Sequence, residues 1–295
     1  MLKYFLLIFF IISTNSLASK TNEVSLEIAL YGLDKNTASD KTVKKILLKI
    51  FQKIDELENI KVNAFFYKDE KKLINNFISE EKKFDILYTV PLTYLKNYET
   101  FNKYGKDFII LRNHNKYVQY YLIKNKKLKI KSLKGMKNKK LITPSSDELS
   151  RIWLDSLFLK ETNKPYTFYI KNEKQDFKMY KKVLDVYFNK TDFVIVPKHI
   201  WDTTIELNPK ITNKLEIFRK SKAIFPGIIG AFHRKVDEKF INTYNSFIID
   251  PNNEEYMQNI LNLVKLYGVE IMNKNDYSKA LDFYLDYEKM IKKVK

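Results

Sequence analysis

Cysteine is absent from the 295 residues. Its absence excludes disulfide bonds, thiolate metal sites, cysteine nucleophiles and a lipid-modified N-terminal cysteine. Six glycines and seven prolines are few for this length, and no Pro-rich or low-complexity tract occurs, so we expect short, ordered connections. The three histidines stand far apart, without metal-ligand spacing such as His-x-x-x-His, and we expect each to be solvated or hydrogen bonded locally: His114, His199 and His233.

Sequence signatures of catalysis are also missing. The chain has no phosphate-cradling glycine-rich loop, and Ser145-Ser146 lacks the frame of a nucleophile elbow. Asp85 and Asp192 are isolated carboxylates at predicted strand starts, and no nucleophile is paired with a base. The sequence therefore predicts a protein that is not an enzyme and that holds no cofactor and no metal.

Apolar residues, in contrast, are plentiful. Hydrophobic residues make up 45% and aromatic residues 15% of the chain, and the mean hydropathy is −0.37. This composition excludes a disordered chain, and the lack of a second long apolar run excludes a polytopic membrane protein. The length exceeds the usual domain of ~100–150 residues, which favours two lobes or one large domain.

Positive charge is in excess, because 53 Lys and Arg against 35 Asp and Glu give a net charge of +18. Such an excess is typical of proteins that bind nucleic acid or an acidic surface. The lysines are scattered along nearly every segment, however, and no Arg-rich stripe occurs, so we predict no nucleic-acid partner. An anionic membrane surface stays open as a partner.

Residues 1–18 have the pattern of a secretory signal peptide. Lys3 supplies the positive n-region, residues 4–12 form an unbroken apolar h-region, and Ser16 and Ala18 place small residues at the −3 and −1 positions. We predict export, cleavage after Ala18 and a periplasmic location. The alternative is a retained membrane anchor, but this apolar run is well short of the ~20 residues that span a bilayer.

Hydrophobic periodicity predicts strands that alternate with helices. The first alternation has strands at 24–33, 62–67 and 84–90 and helices at 42–57, 70–80 and 91–98. The second has strands at 117–123, 141–142, 167–170 and 193–196 and helices at 146–159 and 177–187. A strand at 228–232 and helices at 237–248, 254–267 and 277–291 follow. Such alternation implies parallel pairing, so we predict an α/β fold.

The order of these segments resembles the periplasmic phosphonate-binding proteins of ABC transporters, a branch of the type 2 periplasmic binding protein superfamily. The resemblance rests on Tyr31-Gly32, Phe84-Asp85-Ile86-Leu87, Pro91-Leu92-Thr93-Tyr94-Leu95, Ser132-Leu133-Lys134-Gly135, Lys140-Leu141-Ile142-Thr143-Pro144-Ser145, Thr191-Asp192-Phe193-Val194 and Phe225-Pro226. It implies two α/β lobes around a central cleft, joined by crossover strands at 117–124 and 228–233. Lobe 1 would comprise residues 19–113 and 229–295, and lobe 2 residues 114–228.

The resemblance also implies an oxyanion site at a Ser-Thr-Ser-Gly turn, where N–H groups and hydroxyls at a helix N-terminus hold the anion. At the matching place this chain keeps hydroxyls at Ser145 and Ser146, but Asp147 and Glu148 follow them. Two interpretations are open. Either Ser145 and Glu148 form a capping box with Asp147 against the helix dipole, or the turn binds a ligand whose amine is matched by the carboxylates.

Four further residues are candidates for ligand contact. Thr89 ends a strand before Pro91, and it either donates to a cleft ligand or caps the helix. Tyr31 and Tyr121 either stack on or hydrogen bond to a ligand, or fill the core or surface. Asp192 matches an acid beside the cleft in the family, or belongs to a solvated turn.

The function predicted from the sequence is that of an exported, monomeric solute-binding protein. It captures a small polar solute, phosphonate-like or another oxyanion or zwitterion, in an interlobe cleft and delivers it to an ABC transporter permease. Cleft closure is the expected mechanism, because contacts from both lobes stabilise the closed state. The alternative is an interaction or sensor protein with the same fold, partnered by a membrane sensor protein and without a transport function.

Overall fold

The computed structural model describes residues 24–32, 52, 60–111, 115–145, 147–176, 178–242 and 268–294. The predicted signal peptide, most of the predicted helices at 42–57 and 237–248, and the whole helix at 254–267 lie outside the described residues. The strands are β1 (Val24–Tyr31), β2 (Ile60–Tyr67), β3 (Ile86–Thr89), β4 (Gly105–Leu111), β5 (Tyr117–Val118), β6 (Tyr120–Asn125), β7 (Lys140–Pro144), β8 (Asn172–Asp176), β9 (Phe193–Pro197), β10 (Leu215–Lys220), β11 (Phe225–Pro226), β12 (Ile228–His233) and β13 (Gly268–Ile271). The helices are α1 (Glu70–Phe77), α2 (Pro91–Lys96), α3 (Tyr98–Tyr104), α4 (Glu148–Thr162), α5 (Tyr166–Tyr169), α6 (Met179–Tyr187), α7 (Lys198–Leu207), α8 (Ile211–Lys214) and α9 (Lys274–Val294).

Two sheets organise these elements. The first sheet has six described strands in the order β13-β4-β12-β3-β1-β2, with β1 parallel to both β2 and β3 and with β12 antiparallel to β3 and β4. The second sheet has five strands in the order β10-β6-β9-β7-β8, with β7 parallel to β8 and β9 and with β6 antiparallel to β9 and β10. Both sheets therefore mix parallel α/β units with antiparallel strands.

The chain crosses between the sheets twice. It passes through β5 into the second sheet, and it returns from β10 through β11 to β12. The short strands β5 and β11 pair antiparallel, with Val118 opposite Phe225 and Tyr117 opposite Pro226. The crossings thus lie at the beginning of the predicted crossover 117–124 and just before the predicted crossover 228–233, because β6 and β12 are members of the sheets themselves.

The second sheet is covered on both faces, as the alternation along β6 requires. Tyr120 and Leu122 belong to the core cluster that contains Trp153 of α4. Tyr121 and Ile123, which point to the opposite face, belong to a second core cluster formed with α6 and α7. This arrangement gives a three-layer α/β unit, which is the expected way to bury both faces of a sheet whose parallel strands are connected by helices.

The long helix α9 contacts the helices α2 and α4, which lie beside different sheets, and the crossing strand β11. Tyr277 packs edge-on against Tyr94 of α2, with ring centroids 5.2 Å apart. Phe283 packs edge-on against Phe225 of the crossing strand β11 at 5.0 Å. The helical periodicity that predicted a helix at 277–291 is confirmed, and the apolar residues behind it are core contacts.

The strand predicted at 167–170 is wrong. Tyr166–Tyr169 forms the one-turn helix α5, preceded by Pro165 in an extended conformation at the N-cap position. The strand of this region is β8, whose sequence Asn-Glu-Lys-Gln-Asp contains no apolar residue. Because β8 is the edge strand of the second sheet, polar side chains are tolerated there and the hydrophobic pattern carries no signal.

Candidate functional site

A cavity of about 460 Å³ lies between the two sheets. This volume is in the range of small-molecule sites, ~300–1,000 Å³. The carboxyl ends of β1, β3, β7 and β8 meet there, and so do the beginnings of α1, α2 and α4, which is where α/β folds commonly bind ligands. The lining residues are Tyr31, Gly32, Glu70, Val90, Pro91, Leu92, Thr93 and Lys96 beside the first sheet, and Ser145, Asp147, Glu148, Leu149, Arg151 and Gln175 beside the second.

The turn after β1 brings backbone close to the start of α2. Gly32 has a φ of +72°, in the left-handed region that favours glycine. A Cβ atom at this position would lie 2.9 Å from Cγ1 of Val90, which is closer than packed carbon atoms approach. Glycine is therefore required both by the backbone conformation and by the space between the two cavity segments.

A carboxylate ties α1 to α2 at the cavity wall. Glu70, the first residue of α1, accepts hydrogen bonds from Oγ1 of Thr93 and Nδ2 of Asn97, both at 3.1 Å. The N-terminus of α1 is capped by Asp69, which accepts from the N–H of Lys72 at 3.1 Å. The first sheet therefore presents one negative charge to the cavity, and that charge is already hydrogen bonded.

The beginning of α4 differs from the predicted capping box. Ser145 is not the N-cap, because its N–H donates to the carbonyl of Asp176 at 2.9 Å and keeps the chain extended beside β8. Asp147 is the N-cap instead, and its Oδ1 accepts from the N–H of Ser150 at 3.3 Å and from the hydroxyl of Tyr120 at 2.8 Å. Glu148 is the first helical residue rather than the third, so the predicted reciprocal bond is wrong.

The carboxylate of Asp147 thus occupies the place that an anion would take at a helix N-terminus. A bound anion at such a site accepts hydrogen bonds from the first free N–H groups and interacts with the helix dipole. Here one of those donors and the hydroxyl of Tyr120 are directed to a side chain of the protein. Tyr120 is itself buried and packs against Trp153 and Phe225, so its hydroxyl is held in position.

Two cations face the same cavity from opposite sides. Lys96 ends α2 beside the first sheet, and Arg151 lies in the first turn of α4 beside the second. Nη1 of Arg151 donates to the carbonyl of Pro144 at 2.8 Å, which fixes the guanidinium at the end of β7. Within the described ranges neither cation forms an ion pair, and Glu148 forms none either. The cavity therefore offers charge of both signs to a ligand.

The structure brings only some of the predicted site residues together. Tyr31, Ser145 and Asp147 line the cavity. Ser146 lies outside the described residues. Thr89 is fully buried beside the cavity segment that begins at residue 90, and its hydroxyl has no hydrogen-bond partner among the residues that the structure describes.

Tyr121 and Asp192 lie elsewhere. The side chain of Tyr121 is in the core cluster on the α6 and α7 face, and its hydroxyl donates to Oε1 of Gln119 at 3.2 Å. Asp192 immediately precedes β9, at the end of the second sheet that faces away from the cavity. There its Oδ2 accepts from the N–H of Lys140 at 2.8 Å. Neither residue lines the cavity, so neither is positioned as a ligand contact in this structure.

The sequence interpretation missed five polar residues of the cavity. They line it without having been predicted as ligand contacts: Glu70, Thr93, Lys96, Arg151 and Gln175. A signal existed for two of them, because Glu70 begins a predicted helix three residues after a strand end and Arg151 lies near the beginning of another predicted helix. Gln175 is on β8, the strand that the hydrophobic pattern did not reveal.

Comparisons with known proteins place the chain in a family. The model of the family described as "ABC transporter, phosphonate, periplasmic substrate-binding protein" matches residues 37–277, which is most of the chain. The chain belongs to this family. Its type 2 periplasmic binding protein fold, with two lobes, two crossings and a central cleft, confirms the α/β fold class predicted from the sequence.

Solved structures agree on the fold. A binding protein component of an ABC phosphonate transporter from Pseudomonas aeruginosa is 14% identical, with a TM-score of 0.62 over 93% of this chain and 90% of that chain. PhnD1 from Prochlorococcus marinus, solved with methylphosphonate, is 16% identical, with a TM-score of 0.61 over 91% and 100%. A Xanthomonas citri protein solved with ATP is 8% identical, with a TM-score of 0.59 over 92% and 99%. Comparison with curated protein sequences finds no relative.

As a member of the phosphonate family of periplasmic substrate-binding proteins, the chain is a solute-binding component of an ABC transporter. No helix among the described residues has the length and apolar character to cross a membrane. In the same part of the chain, no group of three acidic or histidine side chains is placed to hold a metal ion. The cavity between the two sheets is the candidate site for such a solute.

Proposed function

We propose that this chain captures a small zwitterionic solute, with an anionic group and an amine, in the cavity between its two lobes and delivers it to an ABC transporter permease. The observation that supports this ligand class is the unpaired charge of both signs in the cavity. Lys96 and Arg151 approach from opposite lobes, and the exposed carboxylate of Glu148 stands beside them. A phosphonate or other oxyanion would bind between the two cations, with its amine at Glu148.

The lobes are proposed to comprise residues 19–113 with 229–295 and residues 114–228. In support of these boundaries, the described strands of the first sheet fall in the former ranges, except for Ile228 at the beginning of β12, and those of the second sheet fall in the latter. We also propose that residues 1–18 are removed on export, so that the mature protein begins at Ser19. The positive n-region and short apolar run support this cleavage.

The ligand class is tested by calorimetry with a matched pair of probes, methylphosphonate and aminomethylphosphonate. The amino compound should bind more tightly, and Arg151→Gln should weaken both by about ten- to 100-fold, since a hydrogen bond to a charged group contributes ~1.5–3 kcal/mol. Glu148→Gln should remove the preference for the amine, because it weakens binding of aminomethylphosphonate by removing an attraction and strengthens binding of methylphosphonate by removing a repulsion. Lys160→Gln, an exposed charge change at the other end of α4, is the control. Equal affinities for the two probes in the unmodified protein would contradict the zwitterion proposal.

A further inference from the structure

Four connections lie together at one end of the strands of the second sheet. We call this end of the sheet the basic edge, and it comprises residues 126–140, 163–171, 188–192 and 208–214. The edge follows from the strand directions, because β7, β8, β9 and β10 begin where β6 ends. Hydrogen bonds link the connections to one another. The N–H of Lys126 donates to the carbonyl of Lys214 at 2.8 Å, and the N–H of Asn138 donates to the carbonyl of Tyr169 at 3.0 Å.

The charge of the basic edge is almost entirely of one sign. It contains one acidic residue, Asp192, whose carboxylate already accepts from the N–H of Lys140. It contains no arginine. Its thirteen lysines are Lys126, Lys127, Lys129, Lys131, Lys134, Lys137, Lys139, Lys140, Lys164, Lys171, Lys190, Lys210 and Lys214.

These lysines are available to a partner. Twelve of them are exposed, and Lys139 is half-buried. In the described part of the chain none of the thirteen forms an ion pair, whereas Lys124, Lys182 and Lys198 of the same lobe do. The backbone hydrogen bonds between the connections hold these lysines on one surface, so their potentials add over the edge.

Exposed apolar side chains accompany the lysines. Phe168 in the second connection is 52% exposed, and the Nζ atom of Lys164 lies 5.8 Å from its ring centroid. Phe188 in the third connection is 61% exposed, and Leu207, the last residue of α7 before the fourth, is 66% exposed. Large apolar groups between exposed lysines are typical of surfaces that enter the headgroup region of a membrane.

The opposite end of the same sheet, beside the cavity, carries acidic side chains. The carboxylates of Asp147, Glu148 and Asp176 lie there, at the ends of β7 and β8 and the beginning of α4, beside the cavity. Positive charge is therefore concentrated at the end of the lobe that faces away from the ligand cavity. Lysines that are scattered along the sequence are therefore brought together at one end of the lobe by the fold.

We propose that the basic edge docks the protein on the surface of an anionic phospholipid bilayer. Lysine near such a surface contributes ~1 kcal/mol per residue, and the exposed Phe168, Phe188 and Leu207 add apolar contact. Nucleic acid fits less well, because the family is periplasmic and because Arg219, whose Nη2 donates to the carbonyl of Lys131 at the edge, is paired with Glu161 at 3.7 Å. Docking by this edge leaves the cavity at the opposite edge open to solute.

The test is flotation of the exported protein with vesicles of phosphatidylcholine alone and of phosphatidylcholine with 30% phosphatidylglycerol. The protein is recovered from the extracytoplasmic fraction, and mass spectrometry fixes its N-terminus so that all variants are compared with the same one. We expect binding to the anionic vesicles only, weakened by salt. Replacing three exposed lysines of the edge (K127Q, K129Q, K131Q) should weaken it roughly 100-fold.

Matched controls separate the edge from net charge. The triple variant K68Q, K71Q, K72Q removes the same charge from exposed lysines at the beginning of α1 in the other lobe, and it should bind vesicles as the unmodified protein does. F188S should weaken binding at high salt, where the apolar contact dominates. Equal binding to both kinds of vesicle, equal loss in both triple variants, or tighter binding to heparin or DNA than to anionic vesicles would overturn the proposal. Far-UV circular dichroism and melting temperature confirm that each variant is folded.

Discussion

At the scale of the residue, Asp147 distinguishes this cavity from a simple oxyanion site. Its carboxylate caps α4 and accepts from the hydroxyl of Tyr120, so negative charge is built into the wall at the place where the helix dipole favours an anion. Arg151 lies one turn further along the same helix and contributes the opposite charge. We therefore expect the residue that caps the helix also to select among ligands.

Replacing Asp147 separates these two roles. Asp147→Asn should leave the free energy of unfolding nearly unchanged, because asparagine and aspartate cap helices about equally well, and it should raise the affinity for methylphosphonate roughly 5-fold by removing ~1 kcal/mol of repulsion. Asp147→Ala should lower the free energy of unfolding by ~0.5–2 kcal/mol. Urea unfolding and calorimetry measure the two effects.

Ser145→Ala is the matched control for that prediction. Because the backbone N–H of Ser145 bonds to Asp176 and its side chain does not cap α4, the variant should unfold within about 0.5 kcal/mol of the unmodified protein. A loss of 1 kcal/mol or more in Ser145→Ala, with none in Asp147→Ala, would restore the capping box predicted from the sequence.

The beginning of α4 shows that a local sequence pattern predicts where a helix begins but does not predict which side chain caps it. The pattern Ser-Ser-Asp-Glu places a helix start within two residues, and a helix indeed begins there. Which side chain caps it depends on how far β7 stays extended, and that depends on the backbone bond to Asp176 of β8. A partner from a distant segment therefore decides the cap, and local sequence does not contain that information.

At the scale of the element, apolar periodicity predicted the buried elements well. The strand at 193–196 and the helices at 70–80, 177–187 and 277–291 correspond to β9, α1, α6 and α9. Edge strands were the main failure. β8 has no apolar residue, and β10, at the other edge, breaks the alternation with the adjacent pairs Ile217-Phe218 and Arg219-Lys220, so neither was recognised.

The helix α9 connects the two lobes through a buried carboxylate. The hydroxyl of Tyr287 donates to Oδ2 of Asp155 on α4 at 3.1 Å, while Oδ1 of Asp155 accepts from the N–H of Tyr166 at 2.7 Å. Burial raises the pKa of Asp155 above its ordinary value, and the two hydrogen bonds oppose that rise. The hydrogen bond from Tyr287 therefore favours the ionised form of the Asp155 carboxyl group.

Tyr287→Phe should lower the free energy of unfolding by ~1–3 kcal/mol at pH 7, because it leaves a buried acceptor without a partner. Without the hydroxyl the pKa of folded Asp155 rises further above its unfolded value, so stability is retained at low pH and lost as the pH rises through the folded pKa. The difference from the unmodified protein should consequently be smaller at pH 4 than at pH 7. Denaturant unfolding at the two pH values measures it.

The exposed residue Asp286 on the same helix provides a control for Tyr287→Phe. Asp286→Asn removes only a surface pair with Lys289, whose atoms are 3.7 Å apart, and it should change the free energy of unfolding by less than about 0.5 kcal/mol at either pH. A loss in Tyr287→Phe that is the same at both pH values would show that the hydroxyl contributes packing alone.

At the scale of the whole molecule, charge is distributed along one axis of the second lobe. The basic edge lies at one end, and the mixed-charge cavity with the neighbouring lobe lies at the other. The two crossing strands β5 and β11 pair beside each other, and two paired strands are a narrow connection about which lobes can rotate. The net charge can be counted from the sequence, but the place in the fold where the positive charge collects depends on the sheet topology.

Closure of the cavity should depend on both cations. In the unmodified protein, saturating aminomethylphosphonate should reduce the radius of gyration measured by small-angle X-ray scattering, because an anion between Lys96 and Arg151 stabilises the closed state over the open one. Lys96→Gln should still bind the ligand through Arg151, about ten- to 100-fold more weakly, and should close less at saturation. Lys160→Gln should close fully. If Lys96→Gln closes as completely as the unmodified protein, the contacts that drive closure lie elsewhere in the cavity.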